Sequence, residues 1–239
     1  MKKILISIIL ISVAGLSYAG SYDDFYNNAS AENLKPFTKD ASALLNSGIF
    51  TTGRILGWGG YRFGVRASYM NKPSDENTAL GTDKSSLTVP WIQADIGLPL
   101  RIDGFIRTSN YHKYAITGGG FRWGVFRPSD KPGSFQMLIS LAGHNSVNDY
   151  FSLTTYNASL VGSFKFDTFN PYAGVGIDYG KLQVRNVADS SLIGVSEEAS
   201  TPHYTLGVNF LLWKFFEFAI AGNYANYGLG GEASLAFRF

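Results

Sequence analysis

The sequence contains no cysteine, few charged residues and, beyond residue 20, no long apolar run. Without cysteine, an exported chain has no disulfide framework to hold it together. Without an apolar run of about 18 residues, the remainder has no transmembrane helix. Charged residues make up 16% of the chain, whereas hydrophobic residues make up 45% and aromatic residues 15%. That aromatic content, spread along the chain in short alternating runs, is unusual for a secreted soluble domain.

The balance of charge and the missing motifs exclude several partners. Removing Lys2 and Lys3, which belong to a predicted leader, from the 20 basic residues leaves 18, which equals the 18 acidic residues. A neutral chain offers no basic patch for nucleic acid, so we expect no nucleic-acid partner. No His or Cys cluster has metal-ligand spacing, and no glycine-rich loop precedes a helix, so we expect neither a metal nor a cofactor.

The first residues have the pattern of an export signal. Lys2 and Lys3 precede an apolar core at residues 4–16, and Ser17-Tyr18-Ala19 has the small-x-small pattern of a cleavage site. The apolar core is too short to span a bilayer comfortably as a helix, which disfavours a membrane anchor. We therefore predict that residues 1–19 are a signal peptide for the Sec pathway, cleaved after Ala19.

From residue 60 onward, apolar and polar side chains alternate with the period of a β-strand. Predicted strands lie near residues 60–69, 89–98, 102–109, 114–126, 135–144, 156–166, 173–180, 204–212, 216–224 and 229–239. The two long connections, 71–87 and 185–201, both follow odd-numbered strands, as expected when long loops lie outside the cell and short turns in the periplasm. We therefore predict that residues 58–239 form an all-β transmembrane antiparallel barrel of about ten strands, with eight or twelve also possible.

The last strand supports this prediction most directly. Phe239, Phe237 and Leu235 fall on one side, and Arg238 and Glu232 fall on the other. This strand resembles the closing strand of bacterial outer-membrane β-barrels, which ends in Phe and is read by their assembly machinery. The resemblance implies the outer membrane of a Gram-negative bacterium, with Phe239 as an assembly signal. It implies three partners: outer-membrane lipid, lipopolysaccharide and the barrel-assembly machinery.

Residues 20–57 do not alternate and are predicted to form a separate N-terminal segment. Leu34, Phe37, Ala41 and Leu44 recur at helical spacing, and Gly48 lies where a helix would end, which predicts a short amphipathic helix at 33–47. This helix could lie in the barrel mouth, on the periplasmic membrane face or against the periplasmic turns. Such a start loosely resembles uncharacterised small barrels related to the long-chain fatty-acid transporters. The chain is far shorter than those transporters and lacks their large hatch domain, so their substrate does not carry over.

Two sets of residues follow from the barrel prediction. Aromatic residues near strand ends predict girdles at the two membrane interfaces, among them Tyr61, Trp91, Tyr114, Tyr172 and Phe239. Charged residues on strands should face the lumen, because a charge facing lipid at the midplane costs about 2–4 kcal/mol. The lumen-facing charges are Arg62, Arg66, Asp95, Arg107, Arg122, Lys165, Asp178, Glu217, Glu232 and Arg238. They would form either a polar solute path or, as we favour, a network of ion pairs filling a narrow barrel.

Three functions are compatible with the sequence. The favoured one is a porin-like barrel with a structural role or passive transport of small solutes. The alternative is a surface ligand-binding or adhesin-type barrel acting through the loops 71–87 and 185–201. The least favoured is a lipid-modifying enzyme using His144 or His203, because no spacing reproduces a known motif of that class. We therefore expect no enzyme and no catalytic residues.

Overall fold

A computed structural model describes residues 24–81, 86–111, 114–213 and 215–239. The predicted signal peptide with its cleavage site after Ala19, and His112, lie outside these residues. Within the described part of the chain, no helix has the length and apolar character needed to cross a membrane.

Ten antiparallel strands close into a single barrel. They are β1 (Tyr61–Met70), β2 (Leu87–Leu98), β3 (Ile102–Tyr111), β4 (Tyr114–Gly124), β5 (Phe135–Val147), β6 (Phe151–Phe164), β7 (Phe169–Val184), β8 (Ser196–Leu212), β9 (Phe216–Ala225) and β10 (Gly228–Arg238). Each strand pairs with its neighbours in sequence, and β1 closes the ring against β10 with Phe63 opposite Phe237. The predicted fold class and the count of ten strands are confirmed.

The two faces of the strands carry different chemistry. On β1, Phe63 is exposed on the outer face, whereas Arg62 and Arg66 are buried in the lumen. Five outward tyrosines lie near the end that carries the two longest loops: Tyr69, Tyr156, Tyr179, Tyr204 and Tyr224. At the opposite end the outward aromatics are mainly Phe and Trp, among them Trp123, Phe135, Phe164, Trp213, Phe237 and Phe239. Two aromatic girdles around an apolar band fit a barrel set in a bilayer.

Three residues predicted for these girdles lie elsewhere. Trp91, Tyr114 and Tyr172 are at most 4% exposed and point into the barrel. Trp91 and Tyr114 pack in an apolar cluster near the extracellular end, and Tyr172 lies edge-on to the ring of Phe50. The prediction was wrong for them because apolar groups within the lumen offer large rings a second place to be buried.

The longest connections lie at one end of the barrel, which we take as the extracellular end. They span residues 71–86 and 185–195. The second is shorter than the predicted loop at 185–201, because β8 already begins at Ser196 and pairs there with Gln183. The β7–β8 hairpin therefore extends as paired strands, and its outer face there is polar, with Lys181 bound to Glu198.

The N-terminal segment lies inside the barrel. Two helices, α1 (Asp24–Asn28) and α2 (Leu34–Asn46), occupy the extracellular half, and α2 confirms the helix predicted at 33–47. Phe25, Phe37 and Leu44 of these helices are fully buried. They pack against inward side chains near the extracellular ends of the strands, such as Phe151 and Leu182. Since those strand ends carry apolar groups inward, this half of the lumen is a hydrophobic core.

Beyond α2, residues 47–60 run through the rest of the lumen without forming a strand. Gly48 turns the chain out of the helix with φ 68°, a conformation that favours glycine. Near the periplasmic end the segment passes so close to β2 that a Cβ atom on Gly97 would lie 1.6 Å from the carbonyl oxygen of Gly57. The inward Gly97 therefore permits close approach of the two backbones. We call residues 24–60 the plug.

Candidate functional site

One carboxylate organises the centre of the lumen. Asp95 on β2 accepts bonds from Nε and Nη2 of Arg62, at 3.1 and 3.2 Å. Arg122 reaches the same carboxylate at 2.7 Å and Arg66 at 3.8 Å. All four side chains are at most 6% exposed. Arg62 also pairs with Glu217 at 3.4 Å, so the charge is shared across the barrel. A buried network of this kind is stable only while each charge keeps its partners.

Two of these arginines, together with Arg107, hold the plug by its backbone. Arg66 donates to the carbonyl oxygen of Gly48 at 2.5 Å, and Arg122 donates to that of Ile49 at 2.6 Å. Arg107 donates to the carbonyls of Ser47, at 2.8 Å, and Leu45. These oxygens belong to the last turn of α2 and the residues after it, where helical carbonyls lack partners and the helix dipole is negative. We call Arg62, Arg66, Arg107 and Arg122 the arginine cluster.

Aromatic rings support two members of this cluster. The guanidinium of Arg107 lies 4.1 Å from the ring centre of Trp91, and that of Arg122 lies 4.4 Å from that of Phe105. Cation–π contacts of this kind stabilise a buried cation. Arg107 also donates through Nε to His144 at 2.7 Å, and the other ring nitrogen of His144 lies 2.8 Å from the side-chain oxygen of Asn46.

A second polar group lies on the inner face of β6 to β10. Asp178 is fully buried and accepts from Asn157 at 2.7 Å, while its other oxygen lies 2.8 Å from Nδ1 of His203. Nε2 of His203 is 3.9 Å from a carboxylate oxygen of Glu232, which also accepts from Asn223 at 3.2 Å. Since the ring faces carboxylates on both sides, this group is a charge network.

At the periplasmic opening, charged residues of the plug and barrel line a cavity of about 20 Å³. It is lined by Thr52, Arg54, Gln136, Ser163, Lys165, Asn170, Asn209, Leu211, Glu217 and Arg238, which we call the periplasmic basin. Arg238 lies 3.4 Å from Glu217, and Arg54 pairs with the exposed Asp130 at 2.9 Å. Lys165, which we predicted to face the lumen, lies just beyond the end of β6 in a turn at this opening.

At the extracellular rim, Asp40 of α2 ties the plug to two connections of the barrel. One of its oxygens accepts from the backbone N–H and hydroxyl of Ser74 and from Asn77, at 2.8, 2.9 and 2.8 Å. The other accepts from Asn226 at 2.7 Å. Burial raises the pKa of Asp40 and the four hydrogen bonds lower it, with a net upward direction. The charged form therefore depends on these donors, and the bonds from Ser74 and Asn77 hold that part of the β1–β2 connection against the plug.

Together these contacts leave little free space along the lumen. Beside Arg66 and Tyr172 a gap of about 10 Å³ remains, and beside His203 the enclosed volume is close to 0 Å³. A single water needs about 10–15 Å³ measured in this way. These two gaps beside the plug, among the described residues, thus admit a single water at most.

Most of the predicted site residues therefore lie together in the lumen. Three of the arginines bind the backbone of the plug, which the sequence did not identify as their partner. Except for Lys165, the predicted charges lie on the inner face, with Arg238 at the periplasmic end. Asp40 and Arg54 of the plug were missed, and so were the backbone carbonyls that the arginines bind. The helical pattern at 33–47 was a signal for the plug, whereas backbone acceptors leave no trace in side-chain identity. The described residues contain no group of three His, Cys, Asp or Glu able to hold a metal ion.

Closure, the apolar outer band and the polar lumen define an outer-membrane β-barrel whose interior is occupied by its own N-terminal segment. No protein-family model matches the chain, and no curated protein matches it in sequence. Among solved structures, the chain is similar to Ail, the attachment invasion locus protein of Yersinia pestis, at 17% identity and a TM-score of 0.34 over 76% of this chain and 99% of Ail.

Two other solved structures have a similar level of likeness to this chain. The KdgM porin is 7% identical, with a TM-score of 0.39 over 75% of this chain and 99% of KdgM. OprG from Pseudomonas aeruginosa is 10% identical, with a TM-score of 0.34 over 80% of this chain and 99% of OprG. Likenesses at this level transfer no function to this chain.

Proposed function

We propose that this protein is a sealed outer-membrane barrel with a structural role, and that it does not conduct solutes while the plug is in place. The observation that carries this proposal is the continuous occupation of the lumen by the plug. Residues 41–51 of the plug are buried without interruption, from the hydrophobic core at the extracellular half to the arginine cluster. Of the two interpretations of the lumen charges, this favours the ion-pair network over the solute path.

Planar-bilayer recording tests this proposal directly. We expect the purified, refolded protein to insert without giving single-channel steps, because residues 41–51 of the plug are buried without interruption and the gaps beside Arg66 and His203 admit a single water at most. An open porin reconstituted in the same bilayers is the positive control for detection. Insertion is verified separately by resistance of the barrel to protease in vesicles. Reproducible channel steps from the full chain would show that solutes pass despite the plug, and would overturn the proposal.

A second candidate function is surface binding through the β7–β8 hairpin. Its connection carries Ile193 and Val195, which are 49% and 37% exposed. Apolar side chains held at the tip of a paired hairpin are a common basis for recognition of another surface. Replacing both residues with serine would abolish adhesion of cells that display the barrel, if the hairpin mediates it. Unchanged adhesion would remove this candidate, and Ser190→Ala in the same connection is the control.

We also infer that the barrel has no enzymatic role. His144 and His203 are at most 5% exposed, and both lie against the plug or its neighbours instead of facing lipid or solvent. A hydrolase acting on lipid needs its base within reach of the substrate. Hydrolysis of vesicle phospholipid by the purified protein, lost in His203→Gln, would contradict this inference.

The proposed function also includes export by the Sec pathway with cleavage after Ala19. Its proposed partners are outer-membrane lipid, lipopolysaccharide and the barrel-assembly machinery.

A further inference from the structure

The periplasmic basin brings three cationic side chains to one opening. Arg54 comes from the plug, Lys165 from the turn after β6 and Arg238 from the end of β10. Among the described residues that line the same cavity, Glu217 is the one carboxylate. It is already shared between Arg238 and Arg62, at 3.4 Å each. The basin therefore has an excess of positive charge that its own lining does not neutralise.

The positive charge of Arg54 is only weakly compensated by its surroundings in the basin. Its side chain is 15% exposed, and its carboxylate partner Asp130 is 80% exposed, so that ion pair is largely screened by water. Burial lowers the pKa of Arg54, and the positive charge of Arg238 lowers it further. Its Nε is buried without a hydrogen-bond acceptor in the structure. A cation with an unused donor beside a second cation is a favourable place for an anion.

We propose that the periplasmic basin binds a compact oxyanion, a phosphate or carboxylate group, between Arg54 and Arg238. The enclosed space of about 20 Å³ has room for one or two oxygen atoms of such a group, and the rest of the ligand stays at the opening. Guanidinium groups match oxyanions because they offer parallel N–H donors in a fixed plane. Lys165 adds a third positive charge at the rim. The ligand would come from the periplasm as a free anion, or from the inner leaflet as a lipid headgroup.

Calorimetric titration of the detergent-solubilised full chain tests this inference. We expect saturable heat on adding inorganic phosphate at constant ionic strength. Binding should weaken roughly tenfold or more in Arg54→Gln and in Arg238→Gln, as expected when a charge-assisted contact is lost. Arg127→Gln is the matched control, because Arg127 is an exposed arginine near the same opening. Arg238→Gln leaves the plug unaltered, so it still tests the site if Arg54→Gln disturbs folding.

The source of the oxyanion is separated by a second titration with mixed micelles containing phosphatidylglycerol. Saturation by phosphatidylglycerol alone, lost in the same two variants, would identify a lipid headgroup at the same site. Saturation by phosphate would identify a free anion. No saturable heat with either probe, or an equal loss in Arg127→Gln, would overturn the proposal.

Discussion

Asp95→Ala is expected to destabilise the barrel by about 3–5 kcal/mol, the usual cost of removing one partner from a buried ion pair. Asp95 is 4% exposed and lies within 4 Å of three arginines, so its removal leaves several buried positive charges without this partner. Arg62 retains Glu217, but Arg122 loses its 2.7 Å partner. The measurement is urea unfolding of the refolded protein in vesicles, followed by tryptophan fluorescence and by the mobility of the folded form in gels.

Two variants sharpen the result. Asp95→Asn keeps an acceptor of similar shape but removes the charge, so this variant should be destabilised less than Asp95→Ala. It provides the measurement if Asp95→Ala fails to fold. Asp149→Ala changes an exposed carboxylate in the short connection between β5 and β6 and should shift stability by about 0.5 kcal/mol or less. A loss below about 1 kcal/mol in Asp95→Ala would mean that the arginines do not depend on this carboxylate.

The barrel could be predicted because its two faces differ in chemistry at every step. Outward Phe63, Val65 and Leu235 alternate with inward Arg62, Arg66 and Ser234, and this period is visible in a single sequence. This alternation of apolar outward and polar inward side chains holds only at membrane depth. In the upper part of the β7–β8 hairpin the outer face is also polar, as Lys181 and Glu198 show. The alternation disappears there, and the predicted loop was drawn too long.

The site was predicted less completely than the fold, for a physical reason. Arg66, Arg107 and Arg122 were correctly placed on the inner face, but their partners are main-chain carbonyls of residues 45–49. Every residue has such a carbonyl, so only the three-dimensional path of the plug shows which ones are used. The same path explains Trp91, which has the composition of a girdle residue but lies over Arg107. Sequence periodicity predicts which side chains face the lumen, whereas the path of the plug determines which groups those side chains contact.

Phe37→Ala is expected to destabilise the whole protein by about 3–5 kcal/mol, the range for removing a fully buried aromatic side chain. Phe37 has no exposed surface, and its ring centre lies 4.7 Å from that of Phe25 and 5.1 Å from that of Phe151. Since Phe151 begins β6, the lost contacts join plug to barrel. The expected outcome is one unfolding transition moved to lower urea, seen equally by fluorescence and by gel mobility.

A single transition would show that plug and barrel fold as one cooperative unit. The inward side chains of Leu153 and Leu182 argue for it, because they are at most 1% exposed only while the helices cover them. Lys35→Ala is the matched control on the same helix, since Lys35 is exposed and its loss should cost about 0.5 kcal/mol or less. An early fluorescence change in Phe37→Ala, with the gel transition unmoved, would instead mean that the plug leaves a barrel stable without it. That barrel should then conduct in planar bilayers, because the plug alone fills the gap between its walls.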